Sequence, residues 1–576
     1  MLAIRAAAAA RRAGTAPLRM ARAMSAASGG IKPMLDMNAI VADIEGVERN
    51  CVQRGMLEAN PRRVAELRER VTALQKRGDA IRKERNKVAK SGRGDSEEAI
   101  EARRRGAALR DEMQALEAAQ VPLREALLEE ALRIPNTTHA QSPVGDESAA
   151  VTVGFFGELT KPAAADQRGA AASPAGEERS AMDGWTPATP PHMLDPGQAA
   201  LDHSVIAENL GIVDFDAAAR STGPKFSMLT GDGAMLELGV VNHVLGRMRS
   251  RGFMPILPPD VAHQSVIAGC GFQPRGDESN IYPLEGTDLC LSATSEIALA
   301  GMLADTILPE PATSLPRLYA AFSHCFRREA GAAGRASRGL YRLHQFSKVE
   351  MMIVCENRTC DDALAEVPER LRRQGIRDVL QRQLIATGAA ATTGEAEAKV
   401  ADRLGPRPTL VSDAWLEVLV GLQAGTMAEL GLRGRILNMP TMELGASAHR
   451  KFDLEAWMPG RDVGDDAPPG GWGEVTSASN CTDYQARRLG IRYRDPGTGK
   501  PVFAHTLNAT AAAIPRVLVA LLETYQTPTG SVRLPSSCPA FALLPEELEP
   551  AVEGQRGIHC RRRHADTLLP ATDDDC

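Results

Sequence analysis

The sequence predicts an α+β protein, in which an antiparallel two-helix coiled-coil arm precedes a larger domain of paired strands and flanking helices. Three observations predict it. Two heptad seams flank one polar break between residues 61 and 134. An apolar run, 318–326, leads into FRREAGAAGRASRGLYRLHQFSKVE, residues 326–350, whose second half alternates as a half-buried strand does. HTLNATAAAIPRVLVALLETYQ, residues 505–526, reads as a strand and turn feeding an apolar helix.

The first 33 residues hold five Arg, one Lys, twelve Ala and no acid. No apolar core follows the charges, so the stretch has the composition of an organellar transit peptide rather than a secretory signal. Mitochondrion and chloroplast both fit. Residues 36–58 read as a short helical stretch. From Pro61, a favourable first helical residue, Val64, Leu67, Val71, Leu74, Ile81 and Val88 mark one seam. Leu109, Met113, Leu116, Leu123 and Leu127 mark the second. The polar break at 91–96 turns the chain, and the hairpin closes near residues 134–136.

The tip of this arm is basic. Lys76, Arg77, Arg82, Lys83, Arg85, Lys87, Lys90 and Arg93 are opposed only by Asp79 and Glu84 over that stretch. A basic tip on a long lever suits contact with a nucleic-acid backbone. A solvated coiled-coil face has a similar composition.

Residues 157–192, rich in Ala, Gly, Pro and Ser, read as a linker or insertion. From Phe226 an apolar helical pattern (Met235, Leu238, Val241, Leu245, Met248) leads to GFMPILPPD, a short strand ended by two prolines. Residues 370–407 and 462–471 have the look of insertions, and 535–576 that of an irregular tail. The expected domains are therefore 1–33, 34–136, 137–195, 196–534 and 535–576.

Bulk composition excludes several classes. Net charge is −6 at pH 7, so any nucleic-acid contact must be a local patch. Aromatics are 4% of residues, too few for a base-stacking platform. No apolar run approaches a membrane span. Ten cysteines without a CxxC pair read as free thiols, not zinc ligands.

The chemistry lies in the two motif segments. Two antiparallel strands around 318–350 are expected to present Arg327, Glu329, Arg342, Phe346 and Glu350 to one small site. Arg516, near the start of the last helix, can converge on it. Guanidinium groups match phosphate oxygens bidentately and stay charged, so the set suggests a triphosphate substrate. Taken singly, each residue has a plainer reading. Glu329 and Glu350 could be ion-paired within the sheet, Phe346 a core aromatic, Thr510 a turn hydroxyl and Ser477 a cap.

The segment 326–350 resembles motif 2 of the class II aminoacyl-tRNA synthetases, and 505–526 resembles their motif 3. The wording of both, the triplet Thr294, Ser295, Glu296 and the run GEVTSASNCTDYQARRLGIRY (473–493) are similar to the seryl-tRNA synthetases. The likeness spans roughly 34–530. It implies a class II synthetase fold, with a mixed, mainly antiparallel sheet and flanking helices, and a homodimer built on the motif 1-like helix and strand. It also implies ATP-dependent attachment of serine to serine tRNA through a seryl-adenylate.

By the same resemblance, Arg327 holds the α-phosphate and the amino-acid carboxylate, Arg516 the γ-phosphate, and Arg342 lies near the triphosphate. Glu329 meets the adenine amino group and Phe346 stacks on the ring. Glu474, aided by Ser477, binds Mg²⁺. Thr294 and Glu296 take the α-ammonium group, while Glu350 and Thr510, near Asn508, take the serine side chain. The arm tip, Lys76 to Lys90, grips the tRNA. Two alternatives stay open: a class II synthetase for another small polar amino acid, such as threonine, and a catalytically inactive synthetase-like RNA-binding protein.

Overall fold

The long arm follows directly from its local sequence. In the computed structural model, which describes residues 33–91, 96–157, 159–160, 186–187, 194, 198–272, 280–309, 314–329, 339–461 and 470–551, two short helices come first, α1 (Met37–Ala42) and α2 (Ile44–Gln53). Asp36 and Asp43 cap them, each accepting from backbone N–H groups of the first turn. Then come α3 (Pro61–Ser91) and α4 (Glu97–Leu132). Pro61 opens α3, and Asn60 Oδ1 caps it by accepting from the Arg63 N–H at 2.9 Å. Ser96 caps α4, with Glu97 and Glu98 favourably placed at its positive end.

The seam residues Val64, Leu67, Val71, Ile81, Leu109, Met113 and Leu127 are buried between the two helices. Full burial of each large side chain stabilises the pair by roughly 1.5–3 kcal/mol. Most of residues 1–33 and 157–192 lie outside the described residues, as do 462–469 and 552–576.

The larger domain is built on an eight-stranded sheet: β1 (Val151–Phe156), β2 (Met254–Ile256), β3 (Arg317–Phe326), β4 (Gln345–Cys355), β5 (Gly434–Asn438), β6 (Arg450–Met458), β7 (Gly471–Thr482) and β8 (His505–Ala513). Their order is β1-β5-β6-β7-β8-β4-β3-β2. Every neighbouring pair is antiparallel except β2 and β3, which run parallel. This is the mixed, mainly antiparallel sheet expected from the resemblance.

The helices that position the site are α5 (His203–Leu210), α6 (Asp232–Ser250), α7 (Ser295–Gly301), α8 (Ile376–Ala386), α9 (Thr393–Leu404), α10 (Val411–Glu429) and α11 (Ile514–Thr524). Helix α10 is buried nearly all round, from Val411 to Met427, and its apolar side chains pack with the sheet in one core. α8 and α9 fall in the segment read as an insertion. Their Leu380, Leu384, Val400 and Leu404 belong to that same core. α6 and β2 form the helix-strand unit expected from residue 226 onward.

The segment expected to be an irregular tail is packed over its described part. Val532–Arg533 pairs antiparallel with Glu547–Leu548, and Cys538, Ala540, Phe541 and Leu548 are core residues. The folded domain therefore runs past 534 to at least 551. Eight described cysteines are free thiols, seven of them buried. Among the described residues no helix is long and apolar enough to cross a membrane.

The arm is anchored to this domain by hydrogen bonds as well as apolar contact. Arg54, buried at the end of α2, donates to the carbonyls of Asn136 (3.1 Å), Gly445 (2.7 Å) and Ala448 (2.8 Å). Asn136 Nδ2 in turn donates to the carbonyls of Ser447 and Cys481, both at 2.9 Å.

Candidate active site

A seam in the sheet opens to make the pocket. β7 and β8 pair only from Ala478↔Ala509 to Thr482↔Thr506. Beyond Ala478 and Ala509 the strands part. Gln423, fully buried on α10, donates its amide N–H groups to the Ser477 carbonyl at 2.7 Å and the Thr510 carbonyl at 2.8 Å. It supplies the rung that the parted strands no longer make, so these buried carbonyls stay satisfied.

The cavity there has a volume of about 270 Å³. Glu474 and Ser477 line it from β7, Thr510 from β8 and Arg516 from the first turn of α11. Arg327 and Glu329 enter from just beyond β3, Arg342 from just before β4 and Phe346 from the start of β4. Eight side chains expected from sequence thus meet in one place.

Their positions differ in one respect from expectation. β3 stops at Phe326 and β4 starts at Gln345, so Arg327, Glu329 and Arg342 sit on connecting segments, not on the strand face. Only Phe346 and Glu350 are strand residues, with Lys348 between them on the same face. Glu329 has φ of 48°, the left-handed region that non-glycine residues seldom adopt. Its carboxylate is ion-paired to Arg342 Nε.

Electrostatics organise the phosphate side. Arg516 Nη1 donates to Glu474 Oε2 at 2.8 Å and to the Glu474 carbonyl at 3.2 Å, and its Nε donates to the Tyr341 carbonyl at 3.4 Å. Burial alone would raise the Glu474 pKa, but Arg516, Lys451 and Arg327 hold it down at about 2. Lys451 Nζ also bonds Asp453 Oδ2 at 2.7 Å. Burial, with Glu474 adding repulsion against the attraction of Lys451, pushes Asp453 up to about 7. The Tyr341 ring lies between two cations: the guanidinium carbons of Arg461 and Arg516 are 4.1 and 4.7 Å from its centroid. Arg327 lies 5.2 Å over the Phe346 ring.

The four remaining residues form a layer behind the pocket wall. Glu350 is 1% exposed and is reached through two wall residues, Lys348, which forms an ion pair with it, and Thr510, whose Oγ1 donates to Glu350 Oε2 at 3.2 Å. Lys348 Nζ also donates to Thr294 Oγ1 at 2.7 Å. Thr294 caps α7, accepting from the Glu296 N–H at 3.3 Å. Glu296 Oε1 accepts from Asn508 Nδ2 at 2.8 Å and Gln485 Nε2 at 2.5 Å. Burial first, and repulsion by Glu350 second, push Glu296 up to about 7.

Comparison with known proteins decides the family. Residues 34–138 match the model of the seryl-tRNA synthetase N-terminal domain. Residues 282–525 match that of the tRNA synthetase class II core domain (G, H, P, S and T). The serine–tRNA ligase of Rubrobacter xylanophilus is 38% identical over 515 residues, covering 88% of this chain and 96% of that protein. The chain belongs to the seryl-tRNA synthetase family. The Treponema denticola serine–tRNA ligase is 36% identical over 507 residues, covering 88% of this chain and 97% of its own. The structure of Pyrococcus horikoshii seryl-tRNA synthetase complexed with ATP superposes with a TM-score of 0.69 at 29% identity, covering 90% of this chain and 100% of the other. The Naegleria fowleri cytoplasmic serine–tRNA ligase shares the fold, with a TM-score of 0.65 at 23% identity over 90% of this chain and 99% of that one.

Several residues of this synthetase site escaped the sequence reading: Lys348, Tyr341, Lys451, Arg461 and Gln485. A signal existed for two of them. Lys348 lies two residues before Glu350, hence on the same strand face. KFDLE (451–455) alternates charge with apolar side chains, so Lys451 and Asp453 share a face. Gln485 had none, because it reaches Glu296 across the fold.

At the arm tip, Arg77 pairs with Glu112 of α4 and Arg82 with Asp79 at 3.0 Å. Lys76, Lys83, Arg85 and Lys87 are exposed and, among the described residues, have no carboxylate within ion-pair distance. The side chain of Lys90 lies outside the described set.

Proposed function

We propose that this synthetase attaches serine to serine tRNA in two steps at the opened seam between β7 and β8. In the first, a serine carboxylate oxygen attacks the α-phosphorus of ATP, the bond to the β-phosphate bridge breaks, and seryl-adenylate and pyrophosphate form. In the second, a hydroxyl of the tRNA terminal ribose attacks the acyl carbon and AMP leaves. Such chemistry needs positioning and charge neutralisation more than covalent catalysis.

The observation that carries the reading is the convergence of Arg327, Arg342, Arg516 and Glu474, from remote segments, on one cavity. Arg516 takes the γ-phosphate, Arg327 the α-phosphate and serine carboxylate, and Arg342 the triphosphate edge. Phe346 and Glu329 receive the adenine. Arg516 and Glu474 neutralise each other at the pocket wall. A phosphate that engages the guanidinium frees the carboxylate.

Glu474 stays ionised to about pH 2 and is 37% exposed, and Ser477 offers a second oxygen from the same wall. These hard oxygens fit Mg²⁺, which when bound neutralises phosphate charge. Thr294, Glu296, Glu350, Asn508 and Thr510 form the serine side. The α-ammonium goes toward Glu296, and the hydroxyl toward the Thr510–Glu350 pair.

Serine-dependent ATP–pyrophosphate exchange, run beside threonine and alanine, tests the reading. Exchange with serine alone is expected. Exchange with threonine and none with serine would end it.

Three further features complete the proposal. Leu238 on α6, Met254 on β2 and Leu257 beyond it are 52%, 59% and 77% exposed at the sheet's edge, which supports a homodimer through this face. The arm tip holds tRNA through its exposed lysines and arginines. Residues 1–33 direct the enzyme to an organelle, mitochondrion or chloroplast. Light scattering on the purified protein and an N-terminal fluorescent fusion test the first and last of these.

A further inference from the structure

We propose that His203 is a positioning residue for the nucleotide site: paired with Glu523, it holds the Gly339–Tyr341 turn and the 459–461 segment against Arg516. The inference deepens the nucleotide assignment above and rests on it. None of the residues assigned so far to substrate binding includes this pair.

The geometry begins further along α11, on the face that carries Arg516. Arg516 leaves the first turn of that helix toward the pocket, while Glu523, two turns on, has a side chain with no exposed surface. Glu523 Oε1 accepts from the His203 backbone N–H at 3.2 Å and faces its Nδ1 at the same distance. Glu523 Oε2 accepts from the Gly460 N–H at 2.9 Å. On the other side of the imidazole the Leu340 N–H meets Nε2 at 3.3 Å. Against burial, Asp202 and Glu523, facing Nδ1 at 3.3 and 3.2 Å, favour the charged ring, and the Leu340 donor holds Nε2 as an acceptor with the ring proton on Nδ1.

One buried His-Glu pair therefore ties together three segments that the chain does not join locally. The first is the start of α5, capped by Asp202, whose Oδ1 accepts from the Ser204 N–H at 2.8 Å. The second is the turn Gly339–Tyr341, which returns the chain from the 330–338 connection to the pocket. The third is the end of β6, through Gly460. Asp202, His203 and Glu523 are also the one carboxylate and imidazole grouping, among the described residues, compact enough for a metal ion. His203 Nδ1 faces Asp202 Oδ2 at 3.3 Å and Glu523 Oε1 at 3.2 Å, so the grouping works as a hydrogen-bond hub.

Close packing makes the hub exacting. Gly339 has φ of +59°, and a Cβ there would lie 2.5 Å from His203 Nε2 and 2.3 Å from Ser204 Oγ. A Cβ on Gly460 would lie 1.9 Å from the Leu201 carbonyl oxygen. Both glycines let the backbone rest directly on the segment around His203. Each is followed closely by a group that lines the pocket or packs on its wall. Tyr341 and Arg342 come after Gly339, and Arg461, stacked on Tyr341, after Gly460. Because Arg516 donates to the Tyr341 carbonyl and lies over its ring, a shift of the turn moves the phosphate-side guanidinium with it.

The test uses His203→Asn, which keeps a donor toward Glu523 but loses the acceptor for Leu340, and His203→Gln, which places an amide oxygen near Nε2. Gly339→Ala attacks the same contact from the other side. ATP affinity is read by calorimetry without any amino acid, and KM for ATP and for serine by pyrophosphate exchange. The expected result is about tenfold weaker ATP binding and higher ATP KM in H203N, with serine KM within about twofold. H203Q should recover much of that loss, and G339A should reproduce it. If H203N does not fold, G339A and H203Q carry the comparison.

A lower melting temperature with ATP affinity within about twofold in every variant would show a merely structural role and overturn the proposal. So would equal rises in both KM values. ATP binding needs no amino acid, so a wild-type enzyme that exchanges only with threonine would sink the serine reading and leave this inference standing.

Discussion

Replacing Arg516 by lysine keeps the charge and removes the planar fork, so it isolates geometry from electrostatics. The guanidinium makes three hydrogen bonds: two to Glu474, at 2.8 and 3.2 Å, and one to the Tyr341 carbonyl at 3.4 Å. It also lies 4.7 Å over the Tyr341 ring. A lysine ammonium is one point charge. It can retain the ion pair with Glu474, but it cannot also reach the Tyr341 carbonyl and present two parallel N–H groups to a phosphate. Losing one or two neutral hydrogen bonds costs about 0.5–1.5 kcal/mol each. The lost ring contact costs roughly 0.5–1 kcal/mol more. With the bidentate phosphate contact included, R516K should lose about 2–4 kcal/mol of transition-state binding, roughly 30- to 900-fold in kcat/KM for ATP. The assay is serine-dependent pyrophosphate exchange at varied ATP, beside thermal melting to confirm folding. A variant within about threefold of wild type, or a loss confined to serine KM, would refute the reasoning.

Three other outcomes are expected. Glu296 must be ionised to receive an ammonium group, and its free-enzyme pKa is raised to about 7, so kcat/KM for serine should fall as pH drops below about 7; a profile flat from pH 8 to about 5.5 contradicts this. Reversing Lys83, Arg85 and Lys87 to Glu should raise tRNA KM and flatten its salt dependence while leaving pyrophosphate exchange unchanged; equal losses in both assays would remove the arm from tRNA binding. Arg54→Met leaves the carbonyls of Gly445 and Ala448 without their donor and should destabilise the protein by about 2–4 kcal/mol, read by denaturant titration; an unchanged midpoint would show that the arm is anchored by apolar contact alone.

Local patterns in the chain were the legible part. Val64, Leu67 and Val71 reveal the arm because heptad spacing is a property of neighbours. The segments around Arg327 and Arg516 carried their chemistry in a few adjacent residues, and the structure brings them to one cavity. What could not be read depends on contacts between distant parts. The place of Arg327 and Glu329 beyond the strand end is set by where β3 and β4 stop pairing. Gln485 matters only because α7 brings Glu296 to it. Residues 535–551 read as an irregular tail because they bear little likeness to the family's closing segment, yet Cys538, Phe541 and Leu548 pack into the core. Glu350 was expected to face the substrate. The fold sets it one layer back, behind Lys348 and Thr510, which line the pocket and contact it.

The amide of Gln423 gives the sheet a hinge pin in its hidden face. It spans β7 and β8 where they separate, and it comes from the buried helix α10. The spacing of β7 and β8 at the cavity, between Ser477 and Thr510, is thus fixed from underneath. A leucine at 423 would release two carbonyls at once and let the gap zip shut or sag. The architecture can therefore be tuned, or ruined, by a residue with no chemical part in the reaction.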